Sequence, residues 1–390
     1  MQNTWLEISK SALLDNIIQI KSLLGKNTKL IGVTKANAYG HGLCEVANII
    51  ENQVNYLAVI NLDEAKELRK DDIRAPIIVL GYTSENAEDI LWAIQEKVEI
   101  VVNSLTHAER LSKIIEDSAG GAEDLKIHIK IDTGMGRMGI MIENAIEYIK
   151  KINELPHLKI KAIMSHFADV INHRDYAKEQ LQKFNDIKFQ LFKIKIEPPL
   201  WHIAKTEAIL DFPESHLDAV RLGIGLYGLC PDKKLIDRVH IAHPDFEIKP
   251  ALTWKTKILQ IKNYPKGKFI GYGCAYKTKR ETKIAIFPVG YYEGLDRGLS
   301  NPPSKRFRGA SAGEVLINGK RCAIIGRICM NMSMADVTDL PKARRDDEVV
   351  LIGSQINEEI TADEIAEKID TVSYEIVTRI NSKIEKRIVN

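Results

Sequence analysis

Short apolar runs rich in β-branched residues alternate with stretches of helical periodicity along the first part of the chain. Eight of these runs are predicted to be strands: Leu30–Lys35, Tyr56–Ile60, Pro76–Leu80, Glu99–Val102, Lys126–Ile131, Ile160–His166, Leu200–Ala204 and Ala219–Leu222. The stretches between them, such as Ser11–Leu24, Leu62–Arg69 and Asp175–Phe192, repeat their apolar residues at the spacing of an amphipathic helix. Because the strand segments are apolar almost throughout, they are typical of parallel strands buried on both faces.

Two folds accommodate this alternation of strands and helices. A (β/α)8 TIM barrel requires eight strand-then-helix units, and an open doubly wound sheet is built from the same units. The count of eight, and the lack of a Gly-x-Gly-x-x-Gly turn after the first strand, favour the barrel. We therefore predict an α/β protein whose N-terminal domain is a (β/α)8 TIM barrel over residues 11–242.

The pattern changes after Ala242, where closely spaced strands replace the alternation. The proline-flanked segment His243–Pro250 is followed by five predicted strands: Ala251–Ile261, Lys283–Val289, Glu314–Ile317, Cys322–Ile325 and Glu348–Ile352. Asn318-Gly319 lies between two of them and predicts a hairpin. Thr361 and Glu364 form a capping box for a predicted helix over Ala362–Ile369. Residues 243–390 are therefore predicted to form a second domain of mainly antiparallel β-structure.

Composition and charge limit the classes of partner. The chain has 390 residues and a formal net charge of +2, which gives no reason to expect nucleic-acid binding. Its five cysteines are scattered without a Cys-x-x-Cys pair, so neither a metal site nor a disulfide framework is predicted. The sequence shows no signal-peptide pattern and no apolar run of about 18 residues. These features predict a cytoplasmic protein without membrane association.

A lysine ends the first predicted strand of the barrel. Lys35 opens the segment Thr34–Gly42, and barrel enzymes place their chemistry at the carboxyl ends of the strands. A lysine in a desolvated position has a lowered pKa and is the usual attachment point for an aldehyde cofactor. The alternative is a lysine that reaches solvent from the rim of the barrel. The residue pattern alone leaves both interpretations open.

Other charged and glycine-rich segments fall at the ends of later strands. The fifth strand ends in Asp132–Gly139, where glycines flank Arg137, a side chain that can bind a carboxylate with two hydrogen bonds. The remaining polar residues at strand ends are Ser165, His166, His202, Thr206 and Arg221. Gly223 and Gly225 follow the eighth strand, where barrels often bind phosphate through backbone N–H groups. Each residue alone could be structural, but together they predict a cationic site on one rim.

Several of these segments resemble motifs of the alanine racemase family. Lys35–Gly42 is similar to the signature around the lysine that binds pyridoxal 5′-phosphate (PLP) in that family. The other similar segments, in the family's order, are Asp132–Gly139, Arg221–Gly228, Gly271–Gly273, Gly290-Tyr291 and Cys329-Met330. Trp5–Ile8 resembles the family's first strand, so residues 1–10 are expected to join the β-domain. The resemblance implies a barrel-plus-β PLP enzyme that interconverts L- and D-alanine and supplies D-alanine for peptidoglycan.

The resemblance also implies a mechanism with two acid/base groups. Lys35 would carry PLP as a Schiff base and act on one face of the substrate Cα. Tyr272 would act on the opposite face, and in the family this tyrosine comes from the partner subunit. Tyr291 and Met330, from the same partner, would line the entrance and the site of the substrate carboxylate. A homodimer with a shared active site is therefore expected.

The family pattern implies roles for the other residues of the rim. Arg221 would face the pyridine nitrogen, with His166 orienting it and His202 behind it. Arg137 would bind the cofactor's phenolic oxygen and the substrate carboxylate, and a carbamylated Lys130 would steady it. The remaining expected cofactor contacts are Tyr39, Leu80, Thr206, Gly223, Ile224 and Tyr374, of which all but Leu80 are expected at the phosphate. A guanidinium cannot give the pyridine nitrogen a proton, which weakens the electron sink and limits side reactions.

The chain departs from the family pattern at a few positions. Lys205-Thr206 stands where the family usually has Asn-Ser, and a local pair between Lys205 and Glu207 is the expected place for the added charge. On the entrance side, Tyr292-Glu293 replaces Ala-Asp and Asn331 replaces Asp. Ser300–Ser311 has the composition of an inserted loop. The changes on the entrance side leave the accepted size of substrate open.

Three rival functions fit parts of the pattern. The first is an amino-acid racemase of another or broader specificity, for instance for serine, although Tyr272 and Tyr291 imply a small pocket. A PLP decarboxylase is expected to pair the pyridine nitrogen with an acidic residue, which Arg221 argues against. A non-catalytic PLP carrier needs only a barrel, and it leaves the segments around Tyr272 and Met330 without a role.

Overall fold

The apolar strand segments of the N-terminal region form a parallel sheet that curls into a barrel. The computed structural model describes residues 3–118, 123–230, 232–301 and 312–390. The chain divides into two compact units, which we call the barrel unit (Leu13–Ala38 and Val46–Ile248) and the β unit (Met1–Ala12, Tyr39–Glu45 and Lys249–Asn390). Within the segment that resembles an inserted loop, residues 302–311 lie outside the described part of the chain.

In chain order, the strands are β1 (Thr4–Ser9), β2 (Lys29–Val33), β3 (Tyr56–Val59), β4 (Ile77–Val79), β5 (Val98–Val102), β6 (Leu125–Asp132), β7 (Ile140–Met141), β8 (Leu158–Met164), β9 (Leu200–His202), β10 (Ala219–Leu222), β11 (Leu252–Lys257), β12 (Gln260–Tyr264), β13 (Phe269–Ile270), β14 (Tyr276–Lys277), β15 (Thr282–Phe287), β16 (Glu314–Ile317), β17 (Lys320–Ala323), β18 (Ser333–Asp336), β19 (Glu348–Gln355), β20 (Glu358–Ile360) and β21 (Glu385–Val389). The helices are α1 (Lys10–Ser22), α2 (Lys35–Tyr39), α3 (Leu43–Ile50), α4 (Leu62–Lys70), α5 (Ala87–Gln95), α6 (Leu105–Ser118), α7 (Ile142–Glu154), α8 (Arg174–Lys193), α9 (Thr206–Asp211), α10 (Lys233–Ala242), α11 (Ala362–Lys368) and α12 (Ser373–Thr378). In the described ranges, no helix is both long and apolar enough to cross a bilayer.

The barrel unit has the predicted eight parallel strands. Their order is β10-β2-β3-β4-β5-β6-β8-β9, and the short β7 pairs with β6. Two backbone hydrogen bonds link β9 and β10, the strands at the two ends of this order. They run from Asp218 N to Trp201 O (3.1 Å) and from Arg221 N to Ala204 O (3.0 Å). Strands β3, β4 and β5 are buried along their whole length, as expected for strands covered on both faces. The barrel prediction is therefore confirmed.

The β unit is built mainly from antiparallel strands, as predicted, and β1 and β21 form a parallel pair. Its main sheet has the order β17-β16-β19-β11-β1-β21, with β20 paired to β19, and β1 runs antiparallel to β11. A second sheet has the order β12-β15-β18. Asn318 and Gly319 join β16 to β17 with φ values of 50° and 71°, the left-handed conformation that a tight hairpin needs. Thr361 caps α11 as predicted by accepting a hydrogen bond from Glu364 N, whereas the Glu364 carboxylate accepts hydrogen bonds from Arg321.

The strand predicted over Ala251–Ile261 is instead two strands, β11 and β12, in different sheets. The chain passes between the sheets at two adjacent residues. Ile258 N donates to Asp347 O, next to the first sheet, and Leu259 N donates to Ile286 O, in the second. Both segments have ordinary strand composition, so the break depends on the partners that each strand finds in the folded protein.

Candidate active site

Lys35 lies two residues beyond the end of β2, at the carboxyl end of the barrel strands. Its side chain is half-buried. Burial lowers the pKa of this amine, the positive charge of Arg137 lowers it further, and the carboxylate of Glu64 opposes part of the effect. A lysine with a lowered pKa is neutral, and therefore nucleophilic, at a lower pH than an exposed one. This environment favours cofactor attachment over the alternative of a solvated rim lysine.

The three residues after Lys35 form a left-handed turn. Ala36, Asn37 and Ala38 have φ between 49° and 55°, which costs roughly 1–2 kcal/mol per residue for residues other than glycine. Glu64 holds the turn, because its carboxylate accepts hydrogen bonds from Asn37 N (3.1 Å) and Ile60 N (2.9 Å). Such strained backbone persists where its surroundings fix it, often at functional sites. The turn thus fixes the backbone beside the Lys35 amine.

Asp132 organises the loop that carries Arg137. Its carboxylate accepts four backbone hydrogen bonds, from Gly134, Met135, Gly136 and Arg137, at 2.7 to 3.2 Å. Burial would raise the pKa of Asp132, but these four N–H groups hold it below its usual value. The Arg137 side chain is exposed at the end of this loop. The glycine-rich turn predicted from the sequence is therefore held around one carboxylate.

Lys130 lies inside the barrel unit and is only 7% exposed. Burial lowers the pKa of its amine to about 8, and the positive charges of Arg137 and Arg221 contribute. A substantial fraction of the amine is therefore neutral near pH 8, which is the form that reacts with carbon dioxide. Lys130 and Lys35 together give this rim two lysines with depressed pKa values.

Arg221 is 4% exposed, and its guanidinium donates five hydrogen bonds. One nitrogen donates to His202 Nδ1 at 2.5 Å and to His202 O at 3.3 Å. The other donates to His166 Nδ1 at 3.1 Å and to the carbonyls of Ser165 and Ile203. Burial lowers the pKa of Arg221 to about 10, so it stays charged at neutral pH. Burial and the charge of Arg221 hold the pKa values of both histidines well below their usual value, so both are neutral.

The Thr206 hydroxyl and the backbone N–H groups of the glycines after β10 lie within hydrogen-bond distance of one another. Thr206 Oγ1 accepts hydrogen bonds from Gly223 N (3.1 Å) and Gly225 N (3.3 Å). A Cβ added at Gly225 would lie 2.8 Å from Thr206 Cγ2, so the close approach requires glycine. Ile224 begins a 3₁₀ turn that ends at Tyr227. A hydroxyl beside backbone N–H groups can bind a phosphate without a cationic side chain.

Two further residues that were expected near the site are Lys205 and Leu80. The Lys205 amine lies 3.1 Å from the Glu207 carboxylate, which confirms the predicted local pair. Leu80 follows β4, is half-buried, and donates its backbone N–H to Val59 O at 2.9 Å. It therefore lies at the same end of the strands as Lys35.

The β unit brings together Tyr272, Tyr291 and Met330, which the sequence separates by up to 58 residues. They line one cavity of about 290 Å³, and their side chains are 70%, 45% and 55% exposed. Tyr291 N donates to Cys329 O at 3.1 Å, which holds two of the expected segments side by side. A Cβ at Gly290 would lie 2.2 Å from Cys329 O, so this contact requires the glycine.

The two entrance-side departures from the family pattern contact each other. Asn331 Nδ2 donates to Glu293 Oε1 at 2.9 Å, and the other carboxylate oxygen of Glu293 accepts from Gly290 N at 2.9 Å. An aspartate at position 331, usual in the family pattern, would place two carboxylates together here, which is unfavourable. The amide at 331 thus suits the glutamate at 293, and the pair supports the loop that carries Tyr291.

The remaining expected cofactor contacts, Tyr39 and Tyr374, both lie in the β unit. Tyr39 is buried, and the two ring centroids are 6.0 Å apart. A Cβ at Gly40 would lie 2.1 Å from Val377 O, so the segment after Tyr39 packs directly on α12 and requires glycine. Two positions that the sequence did not single out also hold the site residues in place: Glu64 and Asp132. Only Asp132 had a sequence signal, its place at the start of the glycine-rich turn.

Comparison with known proteins identifies the family. Residues 8–231 match the family model described as "Alanine racemase, N-terminal domain", and residues 251–388 match "Alanine racemase, C-terminal domain". An alanine racemase of Halothermothrix orenii is 40% identical, over 99% of this chain and 97% of that protein. The solved alanine racemase of Clostridium difficile 630 has a TM-score of 0.88 at 32% identity, over 100% of this chain and 96% of that one. A solved histidine racemase from Leuconostoc mesenteroides has a TM-score of 0.85 at 26% identity, over 100% and 98% of the two chains. The chain therefore belongs to the alanine racemase family.

Proposed function

We propose that this protein is an alanine racemase that binds PLP through Lys35 and interconverts L- and D-alanine. The observation that carries the proposal is the half-buried Lys35, whose pKa is lowered by burial and by Arg137, at the rim that also holds Arg221. The full-length similarity to alanine racemases supports the substrate. The same similarity supports a supply of D-alanine for peptidoglycan as the role in the cell.

The residues of the barrel rim fit PLP. The lowered pKa of Lys35 suits attack of its amine on an aldehyde. Thr206 Oγ1 accepts hydrogen bonds from Gly223 N and Gly225 N, so its own O–H suits the phosphate, together with the backbone at Gly223 and Ile224. Arg221 suits the pyridine nitrogen, because its N–H groups donate and it has no proton to give up at neutral pH. When bound, PLP supplies the electron sink that makes the substrate Cα–H acidic.

Three residues of this chain have separate roles in the proposed racemisation. The exposed guanidinium of Arg137, presented by the loop around Asp132, binds and orients the substrate carboxylate. Lys35 removes or delivers the Cα proton on one face. Tyr272 delivers or removes a proton on the other face, so that the configuration at Cα is inverted.

Lys130 is proposed to be carbamylated. Its buried amine has a pKa of about 8, and the charges of Arg137, Arg221 and Lys35 act on it. A carbamate at this position carries a negative charge that attracts the guanidinium of Arg137. The modification thus replaces an unfavourable cation with an anion that steadies the substrate-binding arginine.

The exposed residues of the β unit support a homodimer with shared active sites. Tyr272, Tyr291 and Met330 are large, partly apolar side chains that remain exposed around one cavity. Clusters of this kind mark interaction sites. We place them at the active-site entrance of a second copy of the chain, with Tyr272 as its second acid/base group. All five cysteines lie in the described residues and are free thiols, which supports a cytoplasmic location.

The deciding experiment is conversion of L-alanine to D-alanine by purified protein with added PLP. We expect formation of D-alanine, followed by chiral chromatography, at a higher kcat/KM than with L-serine or L-histidine. The histidine assay is included because a histidine racemase shares the fold. Faster racemisation of serine or histidine would favour a racemase of another specificity. The Glu293–Asn331 pair would then be the first candidate determinant of that specificity. Racemisation of none of them would contradict the proposal.

Asp132→Ala tests how the substrate carboxylate is bound. Removing the carboxylate leaves four backbone N–H groups without their acceptor, so the loop loses its fixed shape and Arg137 its position. We expect KM for alanine to rise about tenfold or more, with a smaller fall in kcat. Steady-state kinetics would measure both constants, with the exposed Asp175→Ala as control. An unchanged KM would show that the loop does not position Arg137.

A further inference from the structure

Two polar side chains with no assigned role lie inside the barrel unit. Glu99, on β5, is 3% exposed, and His128, on β6, is fully buried. Both occupy strands whose neighbouring residues are apolar and buried. A carboxylate and an imidazole in such a place are costly unless they are hydrogen-bonded.

These two side chains continue the contacts of Arg221 through the barrel. Arg221 donates to His202 Nδ1 at 2.5 Å, and His202 Nε2 lies 3.2 Å from His128 Nδ1. His128 Nε2 lies 2.6 Å from the Glu99 carboxylate. Four residues from four strands, β10, β9, β6 and β5, thus form one continuous line of hydrogen bonds. Its two ends are a buried cation and a buried carboxylate.

Elementary hydrogen-bond chemistry fixes the direction of every link. A guanidinium only donates, so His202 Nδ1 must accept, and the neutral His202 must then carry its proton on Nε2. His128 Nδ1 accepts that proton's hydrogen bond, so His128 carries its own proton on Nε2. The ionised carboxylate of Glu99 only accepts, and it ends the line. Both histidines therefore have the Nε2–H tautomer, and a reversal at either one would set two donors against each other.

Glu99 shares a cavity with basic residues. It lines a cavity of about 500 Å³ together with Lys97, Lys126 and Lys161. Burial raises the pKa of Tyr56 to about 12, and the negative charge of Glu99 contributes to the increase. The line therefore offers a counter-charge to Arg221 across two neutral rings.

We propose that Glu99 and His128 are positioning residues for Arg221, which fix its orientation and charge through the tautomers of His128 and His202. The proposal rests on the proposed function only for what Arg221 does, namely to face the cofactor's pyridine nitrogen. Removing the acceptor at Glu99 lets the His128 proton move to Nδ1, which faces the Nε2–H of His202. The conflict passes to Arg221, whose contact with His202 Nδ1 is then lost.

The first test uses the wild-type holoenzyme with ¹⁵N-labelled histidine. Long-range ¹H–¹⁵N NMR spectra, assigned with His128→Asn and His202→Asn variants, distinguish the two neutral tautomers. We expect the Nε2–H form at both His128 and His202. An Nδ1–H or doubly protonated ring at either position overturns the proposal. This result does not depend on the substrate, so a protein that failed to racemise alanine would refute the proposed function and leave the tautomer test standing.

The second test compares Glu99→Gln and Glu99→Leu, with Glu96→Leu as matched control. Glu96 lines the same cavity and lies 3.8 Å from Arg69 instead of the histidines. In Glu99→Leu we expect a changed His202 tautomer signal and a kcat lower by about tenfold, with KM for alanine unchanged within about twofold. Glu99→Gln keeps an acceptor for His128 but no charge, so its loss should be intermediate. A normal kcat in folded Glu99→Leu, or a fall in kcat equal to that of Glu96→Leu, overturns the proposal. If Glu99→Leu does not fold, the proposal is overturned by a Glu99→Gln variant that has a reversed tautomer and an unchanged kcat.

Discussion

Replacing Lys35 by alanine is expected to lower kcat for alanine racemisation by more than about 10⁴-fold, because one change removes two functions. General acid–base catalysis by a side chain contributes about 10² to 10⁴ on its own. Covalent attachment of the cofactor is lost as well. Conversion of L- to D-alanine by the variant with added PLP, followed by chiral chromatography, measures the loss.

Borohydride reduction separates the two functions of Lys35. Reduction fixes PLP to the lysine that carries it, so peptide mapping of the wild type should find the cofactor on Lys35 and the variant should have no fixed PLP. The matched control is Lys151→Ala, an exposed lysine that pairs with Glu147. It should keep both activity and labelling. PLP fixed to the Lys35→Ala protein at another lysine, such as Lys130, would show that the attachment site has been assigned to the wrong residue.

The sequence predicts Lys35 and Arg221 as site residues because their positions follow from strand patterning. A charged residue that ends a buried parallel strand lies at the carboxyl edge of the barrel, whatever the details of packing. The left-handed turn after Lys35 does not follow from the sequence in this way. Ala36 and Ala38 have no preference for positive φ, and the turn is held by Glu64 on α4. Such a contact exists only in the folded chain.

The hydrogen-bond line behind Arg221 could not be predicted for a related reason. Strands buried on both faces are apolar almost throughout, so Glu99 and His128 look like isolated exceptions in strands that otherwise fit the pattern. Neither strand sequence identifies Glu99 and His128 as hydrogen-bond partners, although only 29 residues separate the two. Glu293 and Asn331 present the same difficulty. Each is a departure from the family pattern when taken alone, and the 2.9 Å contact between them is visible only in the structure.

Tyr272→Phe is expected to lower racemisation by about 10² to 10⁴-fold and to do so unequally for the two faces of the substrate. Without the phenol, Lys35 can still exchange the Cα proton that points toward it. One enantiomer of alanine should therefore lose its α-proton in D₂O while the other exchanges far more slowly, as followed by ¹H NMR. The exposed Tyr82→Phe serves as control. Equal slowing for L- and D-alanine would contradict the assignment of Tyr272 to one face.

The same variant also tests whether Tyr272 acts in a second copy of the chain. In a mixed dimer of Lys35→Ala and Tyr272→Phe subunits, a site shared between copies is intact once and doubly defective once. Random pairing of equal amounts makes half of the dimers mixed, so activity should return to about a quarter of the wild-type value. If Tyr272 serves the Lys35 of its own chain, every site in the mixture carries one defect and no activity returns. Tyr272 is 70% exposed on its own unit, and restored activity would explain that exposure as the surface from which one subunit completes the active site of the other.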